Sequence, residues 1–537
     1  MLHRSHACAL VAAALFGCTA AALRAQAPGE RYDLLIAGGA VLDGTGVPAR
    51  LLDVGIRGDR IVALAPALPH AAAARVIDAT GRSVTPGFID FHAHLEPLLD
   101  LPLAESALRQ GVTLALGGQD GGSPLPLGAY LDSVRAVGTG INVAYLVGHN
   151  DVRLAVLGLA ARHPGAAELA RMKSLVAEAM GQGAFGLSTG LIYLPGTYAG
   201  TEELVALAQV ASDSGGIYST HLRDEGSGLT EGVAEALEIG RRARVPVVLT
   251  HHKAMGQAMW GKSTVTLALV DSARRAGTDV MLDQYPYTST QTGIDVLVPS
   301  WAMEGGKDEF RRRMSNPALA DSILGGMVTN ILTDRGGGDL NRIQFSRVSW
   351  DTSLEGKTLT QLAECRNLEP TPENGARVVL DAVLSGGGSA IYHLLDEQDV
   401  RRIMVHPLTM IASDGRLSRP GEGKPHPRAY GTFPRVLGEY VRERGLLSLA
   451  AAIHKMTQLP AQRLGLSDRG VLKVGAYADV VVFDARTVKD LSTFADPHQY
   501  PVGIETVVVN GAVAVDGGQP TGVRAGRVLT RPARRVP

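Results

Sequence analysis

Eight apolar, strand-like segments separated by helical stretches predict an α/β protein, a (β/α)8 TIM barrel with a small β-sandwich domain. The intervening stretches are amphipathic, and in the one that starts at Ala166 apolar residues recur every three or four positions. Strands that alternate with such helices form a parallel sheet, and eight of these units close into a barrel with its chemistry at the C-terminal strand ends. In chain order the segments are SVTPGFIDFHAH, TLALGGQD, NVAYLVGHN, GAFGLSTGL, GIYSTHL, VPVVLTHHK, DVMLDQYPY and MIASDG.

Size and composition agree with this architecture. The 537 residues are too many for one ordinary domain but leave room for a barrel and an accessory domain. Hydrophobic residues make up 45% of the chain and aromatics only 5%, so the core is mainly aliphatic. Lys and Arg (52) nearly balance Asp and Glu (53), which gives a net charge of -1 and no field to attract nucleic acid or an anionic membrane. We therefore expect a small-molecule partner and no nucleic acid.

Residues 1–27 predict a signal peptide. Early basic residues precede an apolar stretch and a small-x-small cleavage motif that ends at Ala27. The stretch is interrupted by Gly17 and is too short for a confident membrane span, so we expect a periplasmic or secreted protein without stable membrane insertion after cleavage. An uncleaved anchor, or a lipoprotein signal that uses Cys18, is the alternative. Cleavage leaves Cys365 as the single cysteine and excludes an internal disulfide.

The two ends of the chain are β-rich. Short strands separated by Gly-Asp turns follow Tyr32 and Leu51, and a similar pattern follows Gly475 and Gly503. Each piece alone is too small to bury a core, so we expect one joint β-sandwich rather than two appendages. The predicted organisation is a signal peptide at 1–27, β-sandwich parts at 28–86 and 469–537, and a barrel at 87–468 with an insertion around 300–402 that holds its own strand, NRIQFSRVSW.

Side chains at the ends of the predicted strands indicate a metal site. The first strand ends in His92-Ala93-His94, and side chains two apart in an extended chain point to the same side, so both imidazoles can reach one ion. A single histidine in such a place is more often an ordinary hydrogen-bonded residue. Here imidazoles and carboxylates converge on one barrel mouth, which favours Zn²⁺ or a similar divalent ion with a position open for water. The further candidate ligands, which end the second, fifth, sixth and eighth strands, are Asp120, His221, His251 and Asp414.

Such a site predicts a hydrolase. A divalent metal lowers the pKa of bound water to about 7 and polarises a carbonyl oxygen. Asp414 can take the proton of the water and pass it to a leaving amine. Ser188, in GLSTG, resembles a nucleophile elbow on paper, but a triad would need its Asp and His downstream in the right context, and the nearby histidines are better used by the metal.

Longer motifs surround these candidate residues. The stretches PGFIDFHAH, STHLRDE, THHKA and ASDG resemble the amidohydrolase superfamily. GAFGLSTGLIYLPG, DQYPYTST, HPRAYGTFPRVL and DPHQYPVGIETVVVNG resemble its N-acyl-D-amino-acid deacylase (D-aminoacylase) branch, from about Tyr32 to the C-terminus. The resemblance implies a (β/α)8 barrel with a β-sandwich from both chain ends. It also implies hydrolysis of the amide of an N-acyl-D-amino acid or a related compound.

The resemblance further implies a role for each candidate residue. His92 and His94 would bind the more exposed metal position, and His221 and His251 the tighter one. Asp414 would be the catalytic acid and base. The cofactor would be one or two divalent ions, Zn²⁺ in the first place, with Mn²⁺ or Co²⁺ as alternatives.

The substrate of such an enzyme carries a carboxylate. Lys253 follows His251 by two residues and faces the same side of the strand, so it can pair with that carboxylate. Arg428, in HPRAYG, is a second candidate because a guanidinium binds a carboxylate through two hydrogen bonds. Further pocket candidates, for which simple ring packing is the alternative, are Tyr193, Tyr285 and Tyr287.

The chain departs from the family pattern at Asp120. Where the family typically has Asn-Cys-Gly, with the cysteine as a metal ligand, this chain has Gln119-Asp120-Gly121. Asp120 would supply a harder oxygen donor, bridge two ions or favour a metal other than zinc; the alternative is a turn residue. Glu96 also replaces a usual aspartate. These changes indicate a divergent subgroup.

Two other functions stay open at this point. A dipeptidase or cyclic-amide hydrolase of the same superfamily commonly carries a carboxylated lysine on strand four, and GAFGLSTGL has no lysine. A non-catalytic periplasmic ligand-binding protein would have kept the pocket and lost the chemistry. The four histidines and the general base argue against it, whereas the missing cysteine argues for it.

Overall fold

The computed structural model describes residues 31–531, so the predicted signal peptide lies outside the described residues. Within this range no helix is both long enough and apolar enough to cross a membrane. The α-helices are α1 Glu105–Leu108, α2 Leu127–Val137, α3 His149–Leu157, α4 Ala166–Gly181, α5 Thr201–Asp213, α6 Leu229–Ala243, α7 Ser263–Arg275, α8 Lys307–Met314, α9 Pro317–Thr333, α10 Leu359–Glu364, α11 Pro372–Ser385, α12 Glu397–Val405, α13 Arg428–Arg435, α14 Leu449–Met456 and α15 Gln458–Arg463.

The N-terminal segment forms strands, as predicted. The second and third of these strands extend an antiparallel meander from the first, whereas the fourth and fifth pair with the first in parallel. The strands are β1 Tyr32–Val41, β2 Arg50–Arg57, β3 Arg60–Ala65, β4 Ala73–Asp78 and β5 Ser83–Pro86.

The middle of the chain supplies the barrel and an insertion. Its strands are β6 Phe88–Asp90, β7 Ala93–His94, β8 Val112–Gly117, β9 Asn142–Tyr145, β10 Val147–Gly148, β11 Gly186–Gly190, β12 Ile217–His221, β13 Val247–Leu249, β14 Val280–Gln284, β15 Thr290–Gly293, β16 Ile343–Arg347, β17 Ser389–Tyr392, β18 Thr409–Ile411 and β19 Gly415–Arg416.

All eight predicted barrel strands are present and parallel. One sheet has the order β6-β8-β9, and the other has the order β10-β11-β12-β13-β14-β18. The third predicted strand supplies both β9 and β10 and so joins the two sheets. The ring closes beyond β6 and β18, where the Asp414 N–H donates to the His92 carbonyl (2.8 Å) and β7 pairs with β19. The predicted (β/α)8 barrel is confirmed.

The first predicted strand, 83–94, is divided in the structure, so its description as one strand was wrong. Residues 83–86 form β5 of the β-domain, and 88–90 form β6 of the barrel. The chain passes between the two domains at Gly87, where a Cβ atom would lie 2.1 Å from the Thr113 hydroxyl oxygen. Only glycine permits this close approach.

The barrel strands are apolar on both faces because both faces are buried. On β8, Leu114 and Leu116 pack with Val248 and Met410 from strands across the barrel. Val112, on the same strand, packs instead in the cluster that holds the surrounding helices. This arrangement explains why the strands are near-continuous apolar runs rather than alternating patterns.

The insertion folds around its own core. The predicted strand in NRIQFSRVSW is β16, and it forms an antiparallel sheet with β15 and β17, which the sequence analysis did not predict. The insertion therefore begins near residue 290 rather than 300. The sequence of β15, TQTG, is short and polar and carries no apolar signal.

Both chain ends share one β-domain, as predicted. The C-terminal strands extend the N-terminal ones into one nine-stranded sheet of order β23-β22-β21-β20-β5-β1-β2-β3, with β4 beside β1. The sheet curls back on itself, because the Ile61 N–H at β3 donates to the Ala476 carbonyl just before β20 (2.9 Å). The strands in question are β20 Val480–Phe483, β21 Ile504–Val509, β22 Ala512–Asp516 and β23 Gln519–Pro520.

The last described residues leave the β-domain. Val143, on β9, donates its N–H to the Arg527 carbonyl (2.9 Å) and accepts from the Leu529 N–H (2.7 Å). Residues 526–531, which the sequence analysis placed in the β-sandwich, therefore lie along the barrel. Nothing in their local sequence distinguishes a sandwich strand from a segment that adds to an outer sheet edge.

Candidate metal centre and active site

Asp120 lies at the centre of the four histidines. Its Oδ1 is 3.5 Å from His92 Nε2 and 3.4 Å from His251 Nε2. Its Oδ2 is 3.6 Å from His94 Nε2 and 3.7 Å from His221 Nδ1. Each oxygen thus contacts one histidine of each pair. The structure brings all the predicted ligands together in two adjacent groups that share Asp120: His92, His94, Asp120 and Asp414, and Asp120, His221 and His251.

The donor set fits divalent metal ions. His92 Nε2, His221 Nδ1 and Asp120 Oδ1 are buried and have no hydrogen-bond partner among residues 31–531. Buried polar atoms without partners are costly and rare in folded proteins. Imidazole nitrogens and carboxylate oxygens at these separations are the ligands that Zn²⁺ and similar ions take.

Three site residues have unusual backbone conformations. The φ angles of Asp120, His251 and Asp414 are 54°, 35° and 49°, in the left-handed region that residues other than glycine rarely adopt. Each lies just beyond a barrel strand, where the chain turns sharply into a loop. Such strain persists where the surrounding structure enforces it, and it is concentrated at functional sites.

Close packing around the Asp120 loop holds it in place. Gly121 (φ 80°) has no room for a side chain, because a Cβ atom would lie 2.2 Å from Asn150 Oδ1. The Ser188 hydroxyl donates to the Gly118 carbonyl (2.5 Å) and accepts from the Gly121 N–H (3.2 Å). Ser188 is completely buried, so it positions this loop and is not an exposed nucleophile.

Glu225 is a site residue that the sequence analysis missed. Its Oε2 lies 3.3 Å from His221 Nε2, and its Oε1 lies 3.1 Å from His251 Nδ1. A carboxylate on the outer nitrogen of a ligating histidine fixes the orientation of the ring. Burial opposes ionisation of Glu225, but His221 and Lys253 hold its pKa well below the usual value. Its position four residues after His221, in a non-helical loop, gives no pattern that predicts this contact.

Two further buried aspartates support the histidines. Asp283 Oδ1 accepts from the His251 N–H (2.7 Å) and lies 3.8 Å from His92 Nδ1. Asp90 accepts short hydrogen bonds from the N–H and hydroxyl of Ser413, which link the first and last barrel strands. Burial raises the pKa of Asp90 to about 6. Asp283 lies in the DQYPY motif, but only the tyrosines of that motif were singled out.

Asp414 lies between the metal ligands and a cation. Its Oδ1 is 3.1 Å from His94 Nε2, and its Oδ2 is 2.8 Å from Arg428 Nη1. Burial opposes ionisation of Asp414, but the charges of Arg428 and His92 outweigh it and hold the pKa of Asp414 below the usual value. The side chain is therefore an ionised base at neutral pH.

A cavity of about 470 Å³ opens over these residues, and most of the predicted pocket residues line it. Two of these residues already have an acid partner: Lys253 pairs with Glu225 (2.5 Å), and Arg428 pairs with Asp414. Tyr285 has a buried hydroxyl without a hydrogen-bond partner among the described residues. Tyr193 places its ring edge-on to His221, with centroids 4.8 Å apart.

Tyr287, the remaining pocket candidate, is not among the residues that line this cavity. Its ring packs against His426, with centroids 5.0 Å apart, and the Arg435 guanidinium lies 4.9 Å from its centroid. Strand β14 ends at Gln284, so the two-residue alternation that would place Tyr287 beside Tyr285 does not continue.

The insertion also supplies cavity residues that the sequence analysis missed. Strand β15 contributes its whole length, and Arg335 and Ser389 come from later in the insertion. These residues are distant from the barrel motifs in the chain and carry no recognisable spacing. Glu96, near the rim, is 3.3 Å from His94 Nδ1 and 2.9 Å from Arg416 Nη1.

Relatives of known activity cover nearly the whole chain. The N-acyl-D-glutamate deacylase of Alcaligenes xylosoxydans xylosoxydans is 40% identical over 94% of this chain and 98% of its own length. The D-aminoacylase of the same organism is 38% identical over 95% and 99%, and its N-acyl-D-aspartate deacylase is 37% identical over 94% and 96%.

Solved structures of D-amino-acid deacylases resemble this chain over nearly its whole length. The crystal structure of a D-aminoacylase matches with a TM-score of 0.79 and 37% identity, over 93% of this chain and all of that one. The N-acyl-D-glutamate deacylase of Bordetella bronchiseptica, complexed with zinc and a phosphonate inhibitor, matches with a TM-score of 0.78 and 35% identity over the same shares.

The family model that matches the chain is that of the amidohydrolase family, over residues 75–316 and 376–515. The match spans the barrel strands, every predicted metal ligand and part of the β-domain, whose strands β1, β2 and β3 lie before it. Residues 317–375 of the insertion lie outside it. The chain therefore belongs to the amidohydrolase family.

Proposed function

We propose that the protein is a metal-dependent hydrolase that cleaves N-acyl-D-amino acids to a carboxylate and a free D-amino acid. The observation that carries this proposal is the position of Asp414, which lines the cavity 3.1 Å from a candidate ligand histidine and 2.8 Å from a guanidinium. The similarity of the chain to three deacylases over at least 94% of its length supports the substrate class.

The two groups of donors would hold the metal. His92, His94 and Asp414 would bind one ion, His221 and His251 a second, and Asp120 would contribute to both. A bound divalent ion supplies Lewis acidity and lowers the pKa of water. Zn²⁺ fits these donors, and Mn²⁺ or Co²⁺ are the alternatives.

Asp414 moves the proton. Its Oδ1, on the side of the histidines, takes a proton from the water that attacks the amide carbon. The same oxygen then gives the proton to the amide nitrogen as the C–N bond breaks, so that the amine leaves and the acyl group becomes a carboxylate. Arg428, on Oδ2, orients Asp414 and keeps it ionised between turnovers.

The α-carboxylate of the substrate lies only two bonds from the amide nitrogen, so its binding groups must be close to Asp414. Arg428 and Lys253 meet this condition, and both face Tyr285, at 4.7 and 5.9 Å from its ring centroid. The buried Tyr285 hydroxyl has a hydrogen bond to donate. We assign the α-carboxylate to these three side chains.

Export is part of the proposal. Residues 1–27 have the basic start, apolar stretch and cleavage motif of a signal peptide, which would place the enzyme in the periplasm or outside the cell. N-terminal sequencing of the protein recovered from the periplasm should begin just after Ala27. An intact N-terminus on the recovered protein would contradict cleavage.

A substrate panel tests the activity. Matched N-acetyl-D- and N-acetyl-L-amino acids, with short D- and L-dipeptides, are incubated with protein loaded with Zn²⁺, Mn²⁺ or Co²⁺, and the release of amine is measured. We expect turnover of the N-acetyl-D series and loss of activity when a chelator removes the metal. Full activity without metal, or a preference for dipeptides, would overturn the proposal.

A further inference from the structure

Arg335 is a buried cation without an acid partner. It follows α9 in the insertion, is 5% exposed and lines the central cavity. Its Nη1 donates to the sulfur of Met255 (3.1 Å), and its guanidinium lies 5.4 Å from the ring centroid of Tyr392. Among the described residues, no carboxylate oxygen lies within the 4 Å of an ion pair with Arg335.

The other cations of the cavity are all paired. Lys253 is bonded to Glu225 (2.5 Å), Arg428 to Asp414 (2.8 Å) and Arg416 to Glu96 (2.9 Å). A charge buried without a partner is costly, and a guanidinium is suited to binding a carboxylate through two hydrogen bonds. The unpaired Arg335 therefore points to an anionic group on the ligand.

The position of Arg335 separates it from the α-carboxylate site. Arg335 lies where the central cavity meets a neighbouring cavity of about 560 Å³, on the side of Tyr193 and Leu194. Lys253 and Arg428, which we assign to the α-carboxylate, contact His251 (2.7 Å) and Asp414 (2.8 Å) directly. Met255, which accepts the hydrogen bond from Arg335, is two residues beyond Lys253, so Arg335 lies beside the chain segment that carries part of the α-carboxylate site.

We infer that Arg335 binds a second carboxylate, carried by the side chain of the D-amino acid, and that the preferred substrates are N-acyl derivatives of acidic D-amino acids. This inference rests on the proposed function. Arg335 lies in the part of the insertion that the family model does not match, so this specificity comes from the insertion rather than the barrel.

The test compares substrates of equal shape and different charge. The value of kcat/KM is measured for N-acetyl-D-glutamate against N-acetyl-D-glutamine, in the wild-type metalloenzyme and in Arg335→Met. We expect the wild type to prefer the acidic substrate. In Arg335→Met, kcat/KM for the acidic substrate should fall roughly 100-fold, mainly through a higher KM, because a desolvated charge pair is broken. The value of kcat/KM for the neutral substrate should change little. Arg335→Lys should restore part of the preference.

Two controls separate specificity from structure. Arg419→Met removes a cation that lines another neighbouring cavity and is already paired with Glu422 (3.2 Å); the ratio of the two substrates should not change. The melting temperature of Arg335→Met should equal or exceed that of the wild type, because no ion pair is lost.

An unchanged substrate ratio in both Arg335 variants would overturn the inference. N-succinyl-D-leucine carries its second carboxylate on the acyl group. A loss of kcat/KM in Arg335→Met that occurred with this substrate alone would also overturn the inference. If neither acidic nor neutral N-acyl-D-amino acids were hydrolysed by the wild type, the proposed function itself would fail, which is a different result.

Discussion

Asp120 is the side chain on which both proposed metal positions depend. Its two oxygens lie 3.4–3.7 Å from nitrogens of all four histidines. A thiolate has one donor atom to share between two ions, whereas a carboxylate has two. Asp120 would therefore offer two hard oxygen donors where a cysteine would offer one soft sulfur.

Removal of Asp120 should empty both metal positions. We expect Asp120→Ala to lower the metal content measured by elemental analysis after dialysis, because each group of donors loses a member. Asp120→Cys should retain metal but shift competition between Zn²⁺ and Mn²⁺ towards Zn²⁺, the softer ion. An unchanged metal content in Asp120→Ala would make Asp120 a simple turn residue.

Asp414→Asn should separate chemistry from binding. An amide keeps the shape of the side chain but cannot take a proton, so kcat should fall by about 10²–10⁴-fold, the usual contribution of a general acid or base. Circular dichroism and metal content should show that the fold and at least the His221 position persist. Asp271→Asn, at an aspartate that is 48% exposed and pairs with His406, is the matched control and should keep full activity. Near-normal turnover in Asp414→Asn would remove Asp414 from its role.

Short loops after the barrel strands, rather than the strands themselves, set the geometry of the site. The apolar runs predict where each strand lies, because burial on two faces leaves a clear signal. The positive φ angles at Asp120, His251 and Asp414 leave no such signal, because they arise from packing between loops. The division of 83–94 at Gly87 has the same origin, a close approach to Thr113 from another strand.

Gly121→Ala tests how tightly the Asp120 loop is packed. The new methyl group would meet both a left-handed φ of 80° and Asn150 Oδ1 at 2.2 Å. Gly158→Ala is the matched control, since its φ is 58° but no atom lies within 4 Å of the added carbon. Backbone strain alone costs on the order of 1–3 kcal/mol. We expect Gly121→Ala to lower the unfolding free energy by more than Gly158→Ala does. Gly121→Ala should also lower the metal content. Equal losses with full metal content would show that the loop adapts.

Helix α14 is tied to the barrel by a buried amine. Lys455 Nζ donates to the carbonyls of His406 (2.5 Å) and Thr409 (3.0 Å), at the start of β18. Burial lowers the pKa of Lys455 to about 8. The folded protein therefore binds fewer protons than the unfolded chain between pH 8 and about 10.5, so this group makes stability rise with pH across that window.

Lys455→Met removes that titration. The free-energy cost of losing the two hydrogen bonds is nearly independent of pH. This cost therefore cancels when the change in unfolding free energy between two pH values is compared for the wild type and the variant. From pH 7.5 to 9.5 the unfolding free energy of the wild type should rise by about 2 kcal/mol relative to Lys455→Met, as measured by urea unfolding. A constant difference between the two proteins would mean that Lys455 titrates normally.

In the whole molecule, the active site is assembled from two parts of the chain. The barrel supplies the metal ligands and Asp414, and the insertion supplies β15, Arg335 and Ser389 to the lining of the cavity. The described part of the β-domain supplies no residue to the lining of this cavity. It joins the two ends of the chain and buries a common core that includes Val54, Val84 and Val508.

The family, the barrel, the joint β-domain and the six side chains that meet at the barrel mouth could all be predicted from the amino-acid sequence. This was possible because strand patterns are local, and because parallel strands in a closed barrel present their C-terminal ends at one place. Which of these side chains are neighbours became visible only in the folded chain. Asp120 lies among four histidines, Glu225 holds two of them, Lys253 and Arg428 already have acid partners, and Arg335 has none. His94 and Asp414, which are also in contact, are 320 positions apart in the chain, and no local sequence pattern predicts a contact across that distance.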